Sequence, residues 1–329
     1  MPPELNKDHA LDFGRSRTVK GRGLGVRMPL AERLRAARGV PQAVVKVVSF
    51  PRSRSRLREL MEYISRDGAL PLETEDGDLV TTVEAQRELA GIWARSFDRR
   101  TRSREAVHII FSMPPGSDSE ALRKAVRTVV TQHFSGHRAV FGIHEDRKHP
   151  HAHAVIHMRG LAKKLELRKS DLHKLREVFA EAAREHGVML AASPRAARGI
   201  GHKGERQAVH HLRAKGIVPN VQKQAAREFM QEINRGALVE KPWEQAIRHR
   251  HDLEQRAYVE EAQRLRAASV QADARDQDAM REAAKVLELY ARTMPTPKTR
   301  RMSWIDKVRN ARGLKGRDPR KQSDTGIDR

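Results

Sequence analysis

The chain has 329 residues, and its 65 Lys and Arg residues against 42 Asp and Glu give a formal net charge of +23. So large an excess favours a polyanionic partner, above all nucleic acid. No stretch is apolar enough to span or anchor in a bilayer, so we expect no membrane insertion. The absence of cysteine excludes disulfides and thiolate metal sites. Because the basic N-terminus lacks the apolar segment of a secretory signal, we expect a cytoplasmic location.

Composition and periodicity divide the chain into four segments. Residues 1–40 are rich in Arg, Lys and Gly and predict a flexible basic arm. Residues 41–210 predict a folded domain, and residues 211–296 a charged helical region. Residues 297–329 predict a basic disordered tail.

The order of the predicted strands and helices in residues 41–210 indicates an α+β domain, in which helices pack on a mainly antiparallel sheet. Strands are predicted where β-branched residues cluster, and helices where apolar residues recur every three or four positions. An acidic loop is expected at residues 70–81. The predicted elements are a strand at 43–48, helices at 53–66 and 82–97, a strand at 107–112, a helix opened by Ser117 and Glu120, a hairpin at 139–157 and a helix at 171–186.

The predicted hairpin carries five histidines between residues 143 and 157. Alternate residues of a strand share a face, so His151 and His153 point the same way, with His157 in line. If the preceding strand is antiparallel, His144 reaches that face too. Three imidazoles then form an open site suited to a transition metal. We expect His149, in the turn, to be a bystander.

A three-histidine metal site in a strongly basic chain indicates phosphate-ester chemistry, in which the cation offsets charge that develops in the transition state. The nucleophile must lie elsewhere. Of the three tyrosines, Tyr63 is the one in the same predicted domain as the histidines. A lone tyrosine on a helix is ordinarily a packing residue. The position of Tyr63 alone therefore does not identify it as the nucleophile.

Three motifs in order extend this hypothesis: residues 62–68 (EYISRDG), 108–114 (HIIFSMP) and 144–153, which begins HED and ends HAH. They resemble the motifs of conjugative relaxases of the MobP type, in the HUH endonuclease superfamily. Within that type they are most similar to the endonucleases that nick T-DNA borders. The resemblance covers about half of the chain.

The resemblance implies an HUH endonuclease domain that nicks one DNA strand at an origin of transfer, to initiate plasmid or element mobilisation. It makes Tyr63 the nucleophile, leaving a 5′-phosphotyrosine link and a free 3′-hydroxyl. It makes His144, His151 and His153 the ligands of Mg²⁺ or Mn²⁺, and carries over Asp146 as the motif's acidic residue. A phenol titrates near pH ~10, so deprotonation needs the metal, nearby cations or Asp146 as a base.

Further residues are expected around this centre. Ser112 corresponds to the family's serine, which helps to hold DNA near the cleavage point. Many members have asparagine where this chain has His157, so His157 is either an outer partner of the ligands or a fourth ligand. We expect His108 in the outer shell as well. The other expected DNA contacts are Arg52, Arg54, Arg66, Arg159, Lys163 and Arg198.

The expected partners are single-stranded DNA at the origin of transfer, an accessory relaxosome protein and the coupling protein of a type IV secretion system. The protein would then travel with the DNA into the recipient cell. Two alternatives stay open. One is a replication initiator or transposase with the same chemistry. The other is a non-catalytic basic accessory protein whose histidines are structural.

Overall fold

The structure, a computed structural model, describes residues 28–98, 103–162, 164–200, 207–236, 238 and 240–311. The chain divides into two compact units. The first is Arg38–Ser193, so it ends before residue 210, where we expected the domain to end. The second combines the residues before Arg38 with those from Pro194 onward.

The first unit is built on a six-stranded sheet in the order β1-β4-β6-β5-β2-β3, with every neighbouring pair antiparallel. The predicted α+β class is therefore confirmed. The strands are β1 Val44–Ser49, β2 Leu72–Thr74, β3 Leu79–Val80, β4 Ala106–Ser112, β5 Ala139–His144 and β6 His151–His157. The helices are α2 Arg54–Ile64, α3 Val83–Ala94, α4 Ser119–His133 and α5 Lys169–Glu185.

Each face of the sheet packs on its own pair of helices because successive strand residues alternate between faces. On one face, Phe111 and Phe141 pack in a core with Phe179 of α5. On the other face, Val155 packs in a second core with Met61 of α2 and with residues of α3. The histidines at even spacing from Val155 on β6 lie on this second face.

The connection between α2 and α3 differs from the expected loop. Residues 70–81 contain β2 and β3, which form a short hairpin at the sheet edge. Glu73 of β2 pairs with Phe141 of β5. Its carboxylate is buried and accepts two hydrogen bonds from Arg127. These contacts are far apart in sequence, so the acidic composition alone could not predict them.

The second unit is helical. Its helices are α1 Leu30–Ala37, α6 Gln207–Ala214, α7 Asn220–Asn234, α8 Pro242–Ser269, α9 Ala274–Thr293 and α10 Arg300–Ala311. Tyr258 of α8 is fully buried, and its hydroxyl donates to the carbonyl of Ala197, 3.0 Å away. The long helices α8 and α9 pack together around Leu287.

Two expectations about the ends need correction. Part of the predicted flexible arm is the helix α1, because Leu34 is buried in the apolar cluster of α8 and α9. Part of the predicted disordered tail is α10, where Met302 is buried and Arg301 pairs with Glu232 and Glu244. The rest of the arm and tail, residues 1–27 and 312–329, lies outside the described residues.

Among the helices that the structure describes, none combines the length and the apolar character that crossing a bilayer requires.

Gly142 of β5 lets the end of α2 approach the sheet. A Cβ atom at this position would lie 2.9 Å from both the Ile64 carbonyl oxygen and the Leu72 side chain. We expect Gly142→Ala to lower the free energy of unfolding by about 1–3 kcal/mol, because backbone and core must shift. Urea denaturation followed by circular dichroism measures this.

Gly91→Ala is the matched control. Its Cβ would approach only the flexible Arg54 side chain, at 3.2 Å, and alanine stabilises a helix by roughly 0.5–1 kcal/mol over glycine. We therefore expect no loss of stability from Gly91→Ala. Equal destabilisation by both substitutions would contradict the close approach at Gly142.

Candidate active site

Three histidines converge on the sheet face that packs against α2 and α3. The register of the β5–β6 pair sets His144 opposite His151, and Gly142 opposite His153. All three imidazoles are buried. One nitrogen from each lies within 4.8 Å of the other two. The sequence predicted this convergence, and the geometry is that of a site that could hold a metal ion.

Backbone carbonyls orient two of these rings. Nε2 of His144 donates to the carbonyl of Ile64, 2.7 Å away. Nδ1 of His151 donates to the carbonyl of His149, 3.1 Å away. Each bond fixes a tautomer and leaves the other ring nitrogen as an acceptor that can bind a cation. His149 therefore orients the His151 ring through its backbone carbonyl.

The third ring contacts a fourth histidine. Nδ1 of His153 lies 2.8 Å from Nε2 of His108. If His153 donates in this bond, its Nε2 is free to bind a metal ion. Burial and then the neighbouring His144 lower the pKa of His108 to about 4, and lower that of His153 to about 3. Both are therefore neutral at pH 7, the form in which imidazole binds metal.

Tyr63 lies on α2 beside this cluster. Its ring meets the His153 ring edge-on, with 5.6 Å between the ring centroids. The side chain is 53% exposed, so the phenol is accessible from solvent. The helix ends just after it, and Ser65 holds this end through a 2.7 Å hydrogen bond to Gln86. A solvent-accessible tyrosine ring therefore lies against one of the three candidate metal ligands.

Arg66 and Asp146 form an ion pair at the edge of the trio. Arg66 has a left-handed φ of 56°, and one guanidinium nitrogen lies 3.4 Å from Nδ1 of His144. Burial opposes ionisation of Asp146, but the hydrogen bond and charge of Arg66 outweigh it and hold the pKa of Asp146 below its usual range. Such a carboxylate is a weak base, and its hydrogen bond goes to Arg66.

The remaining predicted DNA contacts lie at different places. Ser112 pairs across the sheet with His151 and shares its face. Arg52 lines a cleft of about 610 Å³ at the start of α2. The Arg54 guanidinium lies beside α3. Arg159 follows β6 and is exposed, whereas Lys163 lies outside the described residues.

The structure places the His157 ring apart from the trio. His157 lies on the same face, but its ring contacts Trp93 and Phe97, and both its nitrogens face other partners, the Ser96 hydroxyl and the Arg159 backbone. It is separated from His153 by Val155, so it is neither a fourth ligand nor a direct partner of one.

Arg198 belongs to the helical unit. It ends a short 3-10 helix, Arg195–Arg198. Burial lowers its pKa, while Tyr290 and Tyr258 nearby act in the opposite direction. The expectation that Arg198 contacts DNA stays a prediction.

Sequence reasoning missed the groups that hold the trio and α2 together. They are the Ile64 carbonyl, Gln86 and Gly142. Gly142 could have been found, because a glycine inside a strand of large residues signals a close backbone approach. The Ile64 carbonyl and Gln86 act through contacts 80 and 21 residues apart in sequence, which leave no local pattern.

Comparisons with known proteins show which family the chain is similar to. Residues 72–188 match the model of the relaxase family described as MobA/VirD2-like, nuclease domain. The chain is therefore similar to MobA/VirD2-like relaxases, as its three motifs indicated. The matched span includes β5 and β6 with all three histidines, while Tyr63 precedes it.

The relatives are T-DNA border endonucleases named VirD2. The protein of Rhizobium radiobacter is 29% identical over 194 residues, which cover 51% of this chain and 46% of the relative. That of Rhizobium rhizogenes is 28% identical over 183 residues, 48% of this chain and 42% of the relative. The chain thus spans about half the length of the curated relatives that it matches.

If the His108 bond sets the tautomer of His153, removing it should weaken metal binding. We expect His108→Ala to reduce the affinity for Mn²⁺ by about 10–100-fold, as for other outer partners of ligating histidines. Isothermal titration calorimetry measures this. His173→Ala, a substitution on α5 away from the trio, should leave the affinity unchanged. An unaltered Mn²⁺ affinity in His108→Ala would show that His108 does not set the tautomer of His153.

Proposed function

We propose that this protein is a relaxase: a metal-dependent endonuclease that cleaves one strand of single-stranded DNA by transesterification. The observation that carries the proposal is the accessible Tyr63 ring 5.6 Å from His153, beside a trio of ligating histidines. The similarity to MobA/VirD2-like relaxases supports it.

In the proposed reaction the Tyr63 hydroxyl attacks the scissile phosphate. A bond forms between its oxygen and phosphorus, the bond from phosphorus to the 3′ oxygen breaks, and the 5′ phosphate stays on the enzyme. The phenol proton is lost, and the departing oxygen takes up a proton to become a 3′-hydroxyl. The phosphotyrosine link is a phosphodiester, like the DNA bond that it replaces. A 3′-hydroxyl can therefore attack it, release Tyr63 and reseal the strand.

Arg66 is positioned to hold an oxygen of the bound phosphate, since it lies between Asp146 and His144. Arginine suits this role because its planar guanidinium matches two phosphate oxygens. Asp146 then orients Arg66 through their ion pair. We assign Asp146 this positioning role ahead of that of general base, because its lowered pKa makes it a poor acceptor of a phenol proton.

His144, His151 and His153 are the residues that would hold the metal ion. When bound, it would polarise the phosphate and stabilise the negative charge of the transition state. Of the two expected ions the all-nitrogen donor set favours Mn²⁺, since Mg²⁺ prefers oxygen ligands.

The biological setting follows from the same proposal. The strand is cut at an origin of transfer, and the covalent intermediate initiates mobilisation of a plasmid or element from the bacterial cytoplasm. An accessory relaxosome protein and a type IV coupling protein are the proposed partners.

Covalent capture of DNA tests the proposal. The full chain is incubated with single-stranded oligonucleotides that tile the cognate transfer region, with Mn²⁺, and separated under denaturing conditions. We expect an adduct that withstands SDS. Tyr63→Phe should lose the adduct while still binding the strand, because only the nucleophilic oxygen is removed.

Tyr290→Phe is the matched control, since it removes the same hydroxyl from the helical unit and should leave the adduct intact. If Tyr63→Phe still forms the adduct, the nucleophile is assigned wrongly. If the wild-type chain binds DNA but forms no adduct at any tiled site, the non-catalytic accessory protein becomes the better reading.

A further inference from the structure

A cavity of about 490 Å³ opens at the far end of β6 from the trio. Its floor includes His157, which lies on the same sheet face as His153. Three arginines from separate parts of the chain line it: Arg95 follows α3, Arg138 precedes β5 and Arg159 follows β6. We call it the arginine cavity.

The three arginine side chains are exposed, and none pairs with a carboxylate among the described residues. Most exposed cations are only solvated, but here three of them converge on one concave surface. Ser96 and His157, 3.0 Å apart, add polar groups to the floor. Guanidinium groups around a polar cavity match the oxygens of a phosphate.

The cavity lies along the same face as the proposed catalytic centre. His157 is four positions beyond His153 on β6, which is about 13 Å at the ~3.3 Å rise of a strand residue. A stacked nucleic-acid strand advances ~3.4 Å per nucleotide. Val155 lies between these two histidines in the core under α2, so a strand that reaches both places passes around this core, with at least about four nucleotides between them.

We propose that the arginine cavity binds a backbone phosphate of single-stranded nucleic acid, at least about four nucleotides from the phosphate held at the histidine trio. This proposal rests on the proposed function, which brings a strand to the trio. It explains the role of Arg159 and gives Arg95 and Arg138 a role as well. A free phosphate ion shares the same chemistry, and the test separates the two.

The first test is Arg138→Gln/Arg159→Gln in the full chain. Fluorescence anisotropy with a labelled oligothymidylate, in EDTA to prevent nicking, measures affinity across a salt series. We expect weaker binding and a slope of log K against log salt that is smaller by about 0.7, the contribution of the one single-strand phosphate contact that is lost.

Lys124→Gln/Lys174→Gln removes the same charge from exposed positions on α4 and α5, which cover the opposite sheet face. This control should keep the wild-type slope. An unchanged slope in the arginine variant, or an equal loss in the lysine variant, would overturn the proposal. Thermal denaturation checks that both variants fold.

The second test uses the absence of cysteine. Leu161, at the cavity rim, is 94% exposed, so Leu161→Cys offers a single thiol for an environment-sensitive fluorophore. We expect a response to oligothymidylate that inorganic phosphate does not displace at matched concentration. An equal response to phosphate alone would indicate an isolated anion site. Because this assay contains no metal, its result is independent of whether Tyr63 cleaves DNA.

Discussion

The antiparallel register of β5 and β6 is the constraint on which this site depends. It pairs His144 with His151 and Gly142 with His153, so one face of two adjacent strands supplies every proposed ligand. A slip of one residue would turn a whole strand over and send its histidines into the core against α5. The buried alternate residues Phe141 and Ala154, which pair with each other, oppose such a slip. The hydrophobic core therefore specifies the position of the histidine trio.

A second set of contacts brings the proposed nucleophile, Tyr63, to this face. The last turn of α2 approaches β5 over Gly142, where no side chain intervenes. The Ile64 carbonyl there accepts the hydrogen bond that fixes His144, and Tyr63 is the residue just before it. The backbone that orients one ligand thus also positions the proposed nucleophile. Cleavage and metal binding would be coupled through a single helix end.

The sequence predicted most of the sheet-forming unit because its signals are local. Clusters of β-branched and apolar residues identified β4 and β6, and Ser53 caps α2 near the expected start. What it could not predict depends on long-range contacts. The β2–β3 hairpin forms because Glu73 meets Arg127, and α1 forms because Leu34 is buried by distant helices.

The same distinction applies to the site. The spacing of His144, His151 and His153 was enough to predict their convergence, since strand geometry is regular. The sequence also placed His157 on the correct face. It could not show that the His157 ring packs against Trp93 and hydrogen-bonds with the backbone of Arg159. Periodicity gives the direction of a side chain but not its neighbours.

Anomalous diffraction from crystals of the full chain grown with Mn²⁺ would locate the bound ion. We expect one strong manganese peak within coordination distance, ~2.2 Å, of a nitrogen from each of His144, His151 and His153. The Tyr63 hydroxyl should face that peak across a gap that can hold a phosphate. A peak at other residues, or a Tyr63 ring turned away from the ion into the core, would contradict this expectation.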